Sequence, residues 1–175
     1  MSVFSRIFAR KDPRQQAAPA YERVVALGRD PYWYLDGGVE DSVDGRFEAV
    51  TTMLCAVLLR LEHDDSDAAV RQFSVHLAEL FVDDMDGQLR QNGVGDLIVG
   101  KHIGKMMSAL GGRLGTYREA LAAGDNVQLA EGLRRNLYRD APVSDTAVAA
   151  SAQRLADIHA RLKALPVSAV MQGDF

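Results

Sequence analysis

Apolar side chains recur at intervals of three and four residues along most of the chain, which is the spacing of one face of an α-helix. The stretch over residues 47–61 is apolar on its other faces too, so we expect this helix to lie at the centre of the core. The later stretches each have one apolar face, which predicts helices packed around the first. Their apolar positions are Val70, Phe73, Leu77, Leu80 and Phe81; Leu110, Leu114, Tyr117 and Leu121; Leu129, Leu133 and Leu137; and Val148, Ala152, Leu155, Ile158 and Leu162.

Residues that favour helix ends mark the boundaries between these stretches. Ser66 is placed to cap one long helix, and Asp125 with Gln128 three residues later is typical of a capping box for another. Pro166 is expected to end the last helix. No useful stretch alternates with a period of two, so the sequence predicts an all-α fold with one compact domain of about six helices.

The two ends of the chain depart from this pattern. We predict a flexible N-terminal segment over residues 1–20, an all-α domain over residues 21–165 and a C-terminal tail over residues 166–175. A second interpretation of residues 1–14 is a short amphipathic helix with weak peripheral contact to an anionic membrane. It depends on three apolar residues at helical spacing among basic ones, namely Phe4, Ile7 and Phe8.

Composition narrows the class of protein. The 175 residues are 47% hydrophobic and 25% charged, which is ordinary for a globular domain, and the net charge of −4 argues against DNA binding. Cys55 is the only cysteine, so no disulfide framework exists, and its apolar helix makes it a core thiol rather than a nucleophile. The longest apolar run, residues 53–59, is far shorter than a membrane span. We therefore expect a cytoplasmic protein, with peripheral contact to the inner face of the membrane as a further hypothesis.

The chemically richest stretch is residues 83–106, where an acidic helix passes through glycines into a basic helix. Asp83, Asp84 and Asp86 suggest a magnesium site, but such sites need a second facing cluster of carboxylates, and none is evident. An acidic face that meets solvent or a partner is favoured, with Asp86 and Arg90 as an i, i+4 ion pair.

The glycines in this stretch favour a role in backbone geometry and helix packing over nucleotide binding. GDLIVGKH nearly fits a phosphate-binding loop, but His102 replaces the hydroxyl residue and no β-strand precedes it. Gly93 and Gly95 predict a hinge between the helices, with Asp96 as the next cap. Further small residues recur about every four positions and predict close helix–helix packing, in the core or with a partner: Gly100, Gly104, Ser108, Gly111 or Gly112, and Gly115.

A row of basic residues and a short aromatic segment carry two further predictions. Lys101 and Lys105 stand one helical turn apart, with Arg113 and Arg118 further along, and predict a basic face that is either solvated or binds acidic lipid, ribosomal RNA or an acidic polypeptide. The aromatic residues 32–34 predict a hydrophobic plug for the core. Histidines lie too far apart in sequence for metal-ligand spacing, so no cofactor or metal is expected.

Four segments together resemble the ubiquinol–cytochrome c chaperone family. They are ALGRDPYWY with Tyr21 before it, VEDSVDGRFEAV, FVDDMDGQLRQNGVGDLIVGKHIGKM and GRLGTYREAL. The resemblance covers roughly residues 21–137, but not residues 1–20 or the tail after residue 165. The short chain without an evident targeting sequence is similar to a bacterial member.

The resemblance implies a non-catalytic assembly factor that binds newly made cytochrome b before the ubiquinol–cytochrome c reductase complex is built. Mitochondrial members act with a small partner protein near the ribosomal tunnel exit, so contact with that region is a further hypothesis. The matching positions imply a surface for client or partner, a hinge and structural support. The surface comprises Asp83, Asp86, Arg90, Asp96, Lys101 and Lys105. The hinge comprises Gly93 and Gly95, and the structural support comprises Asp41, Arg46 and Phe47.

Two other functions remain open from the residues alone. One is a small all-α metal-dependent enzyme that acts on a phosphorylated substrate through Asp83 and Asp86. The other is a helical adaptor that binds acidic lipid or the ribosome through Lys101 and Lys105.

Overall fold

The computed structural model describes residues 12–91 and 96–175, without the side chains of residues 89–91 and 96–103. These ranges contain helices and turns and no β-strand, which confirms the all-α prediction. Short 3₁₀ helices occupy Pro13–Ala17 and Glu62–Asp64. The α-helices are α1 Ala18–Gly28, α2 Tyr32–Leu35, α3 Val43–Leu61, α4 Ala68–Gln91, α5 Asp96–Ala123, α6 Asn126–Asn136, α7 Asp145–Ala164 and α8 Val167–Gln172. Six of them were predicted, and the short α2 and α8 are additions.

Helix α3 forms the centre of the core, as its apolar pattern predicted. Every residue over 48–61 is buried, and the helix packs against α1, α4, α5 and α7. Ser42 caps its first turn by accepting a hydrogen bond from the Gly45 amide at 3.1 Å. Cys55 is fully buried within this helix, and burial raises the pKa of its thiol to about 12, which confirms a core thiol.

Local capping chemistry sets two other helix starts. Asp125 accepts hydrogen bonds from the amides of Val127 and Gln128, at 2.9 and 3.0 Å, so its predicted cap is confirmed. The predicted Ser66 cap is wrong by one residue. The side chain of Asp67 accepts the hydrogen bond from Ala69 at 2.7 Å, and α4 begins directly after it. Both residue types are good caps, so the sequence alone did not separate them.

The aromatic segment of residues 32–34 contacts α1 and α7. Trp33 is buried, and its indole donates to the Leu27 carbonyl at 2.8 Å. The Tyr34 hydroxyl donates to the Gly28 carbonyl at 2.7 Å, and the Arg154 guanidinium lies 4.1 Å from the centre of the Tyr32 ring. The predicted hydrophobic plug is confirmed for Trp33, with its polar edge satisfied.

Structure continues beyond both boundaries of the predicted domain at residues 21–165. The 3₁₀ helix at Pro13–Ala17 packs against α4, and Ala17 and Ala20 are fully buried. Helix α8 packs against α1 through the buried Val170. Residues 1–11, which include the predicted amphipathic positions, lie outside the described part of the chain. Within the described ranges, no helix has the length and hydropathy needed to cross a membrane.

Candidate functional site

A cleft of about 640 Å³ opens between α3, α4, α5 and the turn that follows α6. Its apolar wall consists of four side chains from three helices: Val43, Phe47, Met85 and Met106. Val43 is 64% exposed, so its apolar side chain is open to solvent at the edge of this wall. The volume lies in the range of clefts that bind ligands or side chains of a partner.

Helical periodicity brings these side chains to one place. Val43 and Phe47 are four residues apart on α3, and Met106 and Arg113 are seven residues apart on α5, so each pair shares a helix face. Phe47 also packs against Phe81 of α4, with the ring centres 5.9 Å apart. This contact fixes one wall of the cleft against the core.

A buried ion pair lines the same cleft. Arg113 Nη2 lies 2.5 Å from Glu48 Oε2, and the two side chains are only 10% and 7% exposed. Burial raises the pKa of Glu48 to about 7, against the opposing effect of the nearby Arg113 and Arg139 guanidinium groups. Arg113 Nε and Glu48 Oε2 are both shielded from solvent, and neither makes a hydrogen bond of good geometry among the described residues, so the pair is a close ionic contact. The site therefore has an unused donor beside a carboxylate that titrates near neutral pH.

The rim of the cleft carries backbone strain and charge. Arg139 and Asp140 both have left-handed backbones, with φ of 53° and 58°, which costs about 1 kcal/mol or more at a residue other than glycine. The preceding Tyr138 anchors the turn, because its hydroxyl donates to the Gly37 carbonyl at 2.7 Å. Arg139 then pairs with Asp44 across the rim at 2.5 Å. The turn is thus held in a strained shape that places Arg139 at the opening.

The cleft lining is more basic than acidic. It includes four basic side chains, Lys105, Arg113, Arg135 and Arg139, and three acidic ones, Asp44, Glu48 and Asp140. Two of the acids are already paired with arginines. An apolar wall beside surplus positive charge can hold an amphipathic or acidic apolar group.

The predicted partner surface is only partly in this cleft. Of its six residues, Lys105 lines the cleft, whereas Asp83 pairs with Arg14 at 2.6 Å. Asp86 lies on α4, near the cleft-lining Met85 and Gln88. The side chains of Arg90, Asp96 and Lys101, and the hinge glycines Gly93 and Gly95, lie outside the described residues.

The three predicted support residues occupy two places. Asp41 and Arg46 form an exposed ion pair at 2.7 Å, in front of and within the first turn of α3. Phe47 is half-buried in the cleft wall. An exposed pair of this type contributes little to stability, so Phe47 contributes more to the stability of the fold than Asp41 and Arg46 do.

The acidic cluster on α4 makes contacts within the chain. Asp84 accepts a hydrogen bond from the Tyr21 hydroxyl at 2.7 Å, and Asp83 is held by Arg14. Among the described side chains, no group of three or more histidines, cysteines or carboxylates is arranged to hold a metal ion. Two of the three carboxylates that suggested a metal site, Asp83 and Asp84, instead fasten α4 to Arg14 and Tyr21.

The glycines of α5 do not pack closely in the core. A methyl group added at Gly104, Gly111, Gly112 or Gly115 would meet no atom within 4 Å. Of the two predicted possibilities, close packing within the described part of the domain is wrong at these four positions, and packing against a partner stays a prediction. Close packing occurs instead at Gly132 of α6, where an added Cβ would lie 2.8 Å from Thr116 Cγ2.

The sequence reasoning missed the buried ion pair. Arg113 was assigned to a basic face of α5, but it is buried. Glu48 is the only charged residue in the largely apolar run FEAVTTMLCAVLL, and this interruption was the available signal. A charged residue inside such a run needs a buried partner of opposite charge, because its desolvation is costly.

The sequence profile described as ubiquinol–cytochrome C chaperone matches residues 35–175. This chain belongs to the ubiquinol–cytochrome c chaperone family. The family match runs to residue 175, so the expectation that the tail after residue 165 is not covered was wrong. The cleft lies wholly within the matched residues.

A solved structure agrees with this family assignment. The crystal structure of the Cbp3 homolog from Brucella abortus superimposes with a TM-score of 0.81 at 27% sequence identity. The match covers 98% of this chain and 94% of that one, so the two share nearly the whole fold. A comparison with curated proteins returns no significant match.

Proposed function

We propose that this protein is a non-catalytic assembly factor that binds newly made cytochrome b and assists assembly of the ubiquinol–cytochrome c reductase complex. Membership of the chaperone family supports the role, and the exposed apolar cleft supports a hydrophobic client. A client segment released from the ribosome has about 20 apolar residues per membrane span, and its side chains aggregate in water unless they are covered.

The cleft has the properties expected of a groove for an apolar helix. An amphipathic or apolar helix presents side chains at i, i+3, i+4 and i+7, which a groove between helices can receive. Met85 and Met106 supply flexible, polarizable side chains that adapt to different partners. This proposal moves the client-binding surface from the acidic–basic junction as a whole to the cleft, with Lys105 as the shared residue.

Placement in the cell is part of the same proposal. We place the protein on the cytoplasmic side of the membrane, where it would meet its client, with the ribosomal tunnel exit as a second contact. Membrane contact through residues 1–14 would depend on the residues before Arg14, because that guanidinium is already engaged by Asp12 and Asp83.

Photo-crosslinking in cells that also make cytochrome b tests the proposal. A photoreactive residue at Val43 in the cleft should trap cytochrome b. The matched control is Val127 on α6, which is 72% exposed and is not part of the cleft lining. Equal recovery from both positions, or recovery of cytochrome b from neither in a well-expressed protein, would contradict the cleft as the client site.

The metal-dependent enzyme receives no support from the described residues. Asp83, one of its two candidate ligands, is paired with Arg14. No second function is therefore proposed.

A further inference from the structure

The position of the Glu48–Arg113 pair is unusual for a structural ion pair. Both side chains are buried, and burying two charges costs about as much free energy as their attraction returns. Apolar residues of similar size would serve the core as well or better. The pair also lines the cleft, so its charges lie beside the space that a bound segment would fill.

Arg113 has capacity for a second carboxylate. A guanidinium carries five N–H donors and can donate two parallel hydrogen bonds to the two oxygens of one carboxylate. Here the contact runs from Nη2 to one oxygen of Glu48, and Nε has no hydrogen-bond partner among the described residues. Glu48 thus holds only part of the donor set.

Glu48 can give up its charge at small cost. Burial raises its pKa most, Arg113 and Arg139 lower it, and Asp44 raises it again. Lys105, Arg135 and Asp140 are the other charged residues that line the cleft. The neighbouring Cys55 and Tyr117 stay neutral, because burial raises the pKa of each. Glu48 is therefore the acidic group beside Arg113 that can take up a proton near neutral pH.

We infer that the cleft recognises an apolar segment that carries one carboxylate, and that Arg113 receives this carboxylate in place of Glu48. The inference rests on the proposed function and adds a chemical class to its client. No covalent bond changes. The incoming carboxylate pairs with Arg113, Glu48 takes one proton from solvent, and the buried site again holds one ion pair. The surplus of basic side chains around the opening favours an acidic segment over a basic one.

Isothermal titration calorimetry with two synthetic helical peptides tests this inference. The peptides are apolar along one face and identical except for a central Glu or Gln. We expect the Glu peptide to bind the full-length protein about ten-fold more tightly. At pH 8, measurements in two buffers of different ionisation enthalpy should show uptake approaching one proton with the Glu peptide and none with the Gln peptide.

Two variants separate recognition from folding. Glu48→Gln keeps the shape of the side chain, so it should bind the Glu peptide more tightly than wild type and without proton uptake. The double variant Glu48→Gln/Arg113→Met removes both charges together and leaves no unpaired one, so it should remain folded. It should bind the two peptides equally.

The outcomes distinguish the two proposals. Equal affinity of wild type for both peptides, or proton uptake that persists in Glu48→Gln, would overturn the exchange at Arg113 and leave the cleft as a client site. If neither peptide binds, the exchange and the cleft both fail.

Discussion

Glu48 shows how one buried side chain links the stability of this protein to pH. Its pKa is about 7 in the folded protein, whereas a glutamate in an unfolded chain has a pKa of about 4.3. Between these values the folded state binds more protons than the unfolded state, so the free energy of unfolding falls as pH rises through this window. His159 acts in the opposite direction, because burial lowers its pKa.

The Glu48→Gln variant isolates this effect. Glu48→Gln leaves the buried Arg113 without a counter-charge, which lowers the free energy of unfolding by an amount that does not depend on pH. Measured against this constant offset, the variant should gain about 1–3 kcal/mol on wild type as pH rises from 5 to 8, because its amide does not titrate whereas the wild-type carboxyl loses its proton. Urea denaturation of both proteins at each pH measures the difference, and the contribution of His159 cancels in the comparison. If the difference in the free energy of unfolding between the two proteins did not change with pH, the pKa of Glu48 would be the same in the folded and unfolded states.

At the scale of one element, α5 is a long helix with an exposed row of glycines. Gly111 and Gly112 have no neighbour within 4 Å of an added Cβ, and both are exposed. Interior glycines lower helix stability by about 1 kcal/mol each relative to alanine, and no contact with the described part of the domain compensates for this at the two positions. The middle of α5 therefore has a less stable backbone than the length of the helix suggests.

Alanine substitutions in α5 and α6 should have opposite effects. Gly112→Ala should raise the free energy of unfolding by about 0.5–1 kcal/mol, because it restricts the unfolded chain and meets nothing in the folded one. Gly132→Ala is the matched comparison, and it should lower the free energy by about 1–3 kcal/mol, because its Cβ would overlap Thr116. Urea denaturation of both variants measures this, and destabilisation by Gly112→Ala would show that α5 packs against something at this position.

At the scale of the whole molecule, the two described ends of the chain are packed together. Gly173 has φ of 81°, and an added Cβ there would lie 2.7 Å from the Pro19 carbonyl oxygen. The Arg23 side chain donates a hydrogen bond to the Phe175 carbonyl, and Val170 is fully buried. Arg60 of α3 secures the end of α7 by donating to the carbonyls of Leu162 and Leu165, both at 2.9 Å.

Removal of residues 166–175 tests whether this segment is part of the core. We expect the truncated protein to lose about 2–4 kcal/mol in the free energy of unfolding, because α1 loses the buried Val170 and the contacts of α8. Thermal and urea denaturation measure the loss. An unchanged midpoint would show that the segment behaves as the tail that the sequence predicted.

A milder variant at the same contact serves as the control for truncation. Gly173→Ala should lower the free energy of unfolding by about 1–3 kcal/mol, because alanine is strained at positive φ and its Cβ overlaps the Pro19 carbonyl. Urea denaturation should place it between wild type and the truncated protein. Full stability in Gly173→Ala would mean that this end of the chain can move without cost.

Much of the fold was predictable because it depends on neighbours in the chain. The apolar run of α3 made it the central helix, and the Asp125 cap and the stop at Pro166 follow from local hydrogen bonding and proline geometry. The candidate site was less predictable. Lys105 was identified, but Glu48 was not considered and Arg113 was assigned to a surface. Helical periodicity assigns a charged residue to a face but not to a partner.

The sequence by itself determined the all-α class, the approximate limits of the long helices and, through its motifs, the family. Only the tertiary structure decided which charges are buried and which groups meet. Glu48 on α3 meets Arg113 on α5, although the two residues are far apart in the sequence. Arg14 in the first 3₁₀ helix likewise meets Asp83 on α4. Helix formation depends on contacts within one or two turns, whereas the cleft and its ion pair exist only after α3, α4 and α5 have packed together.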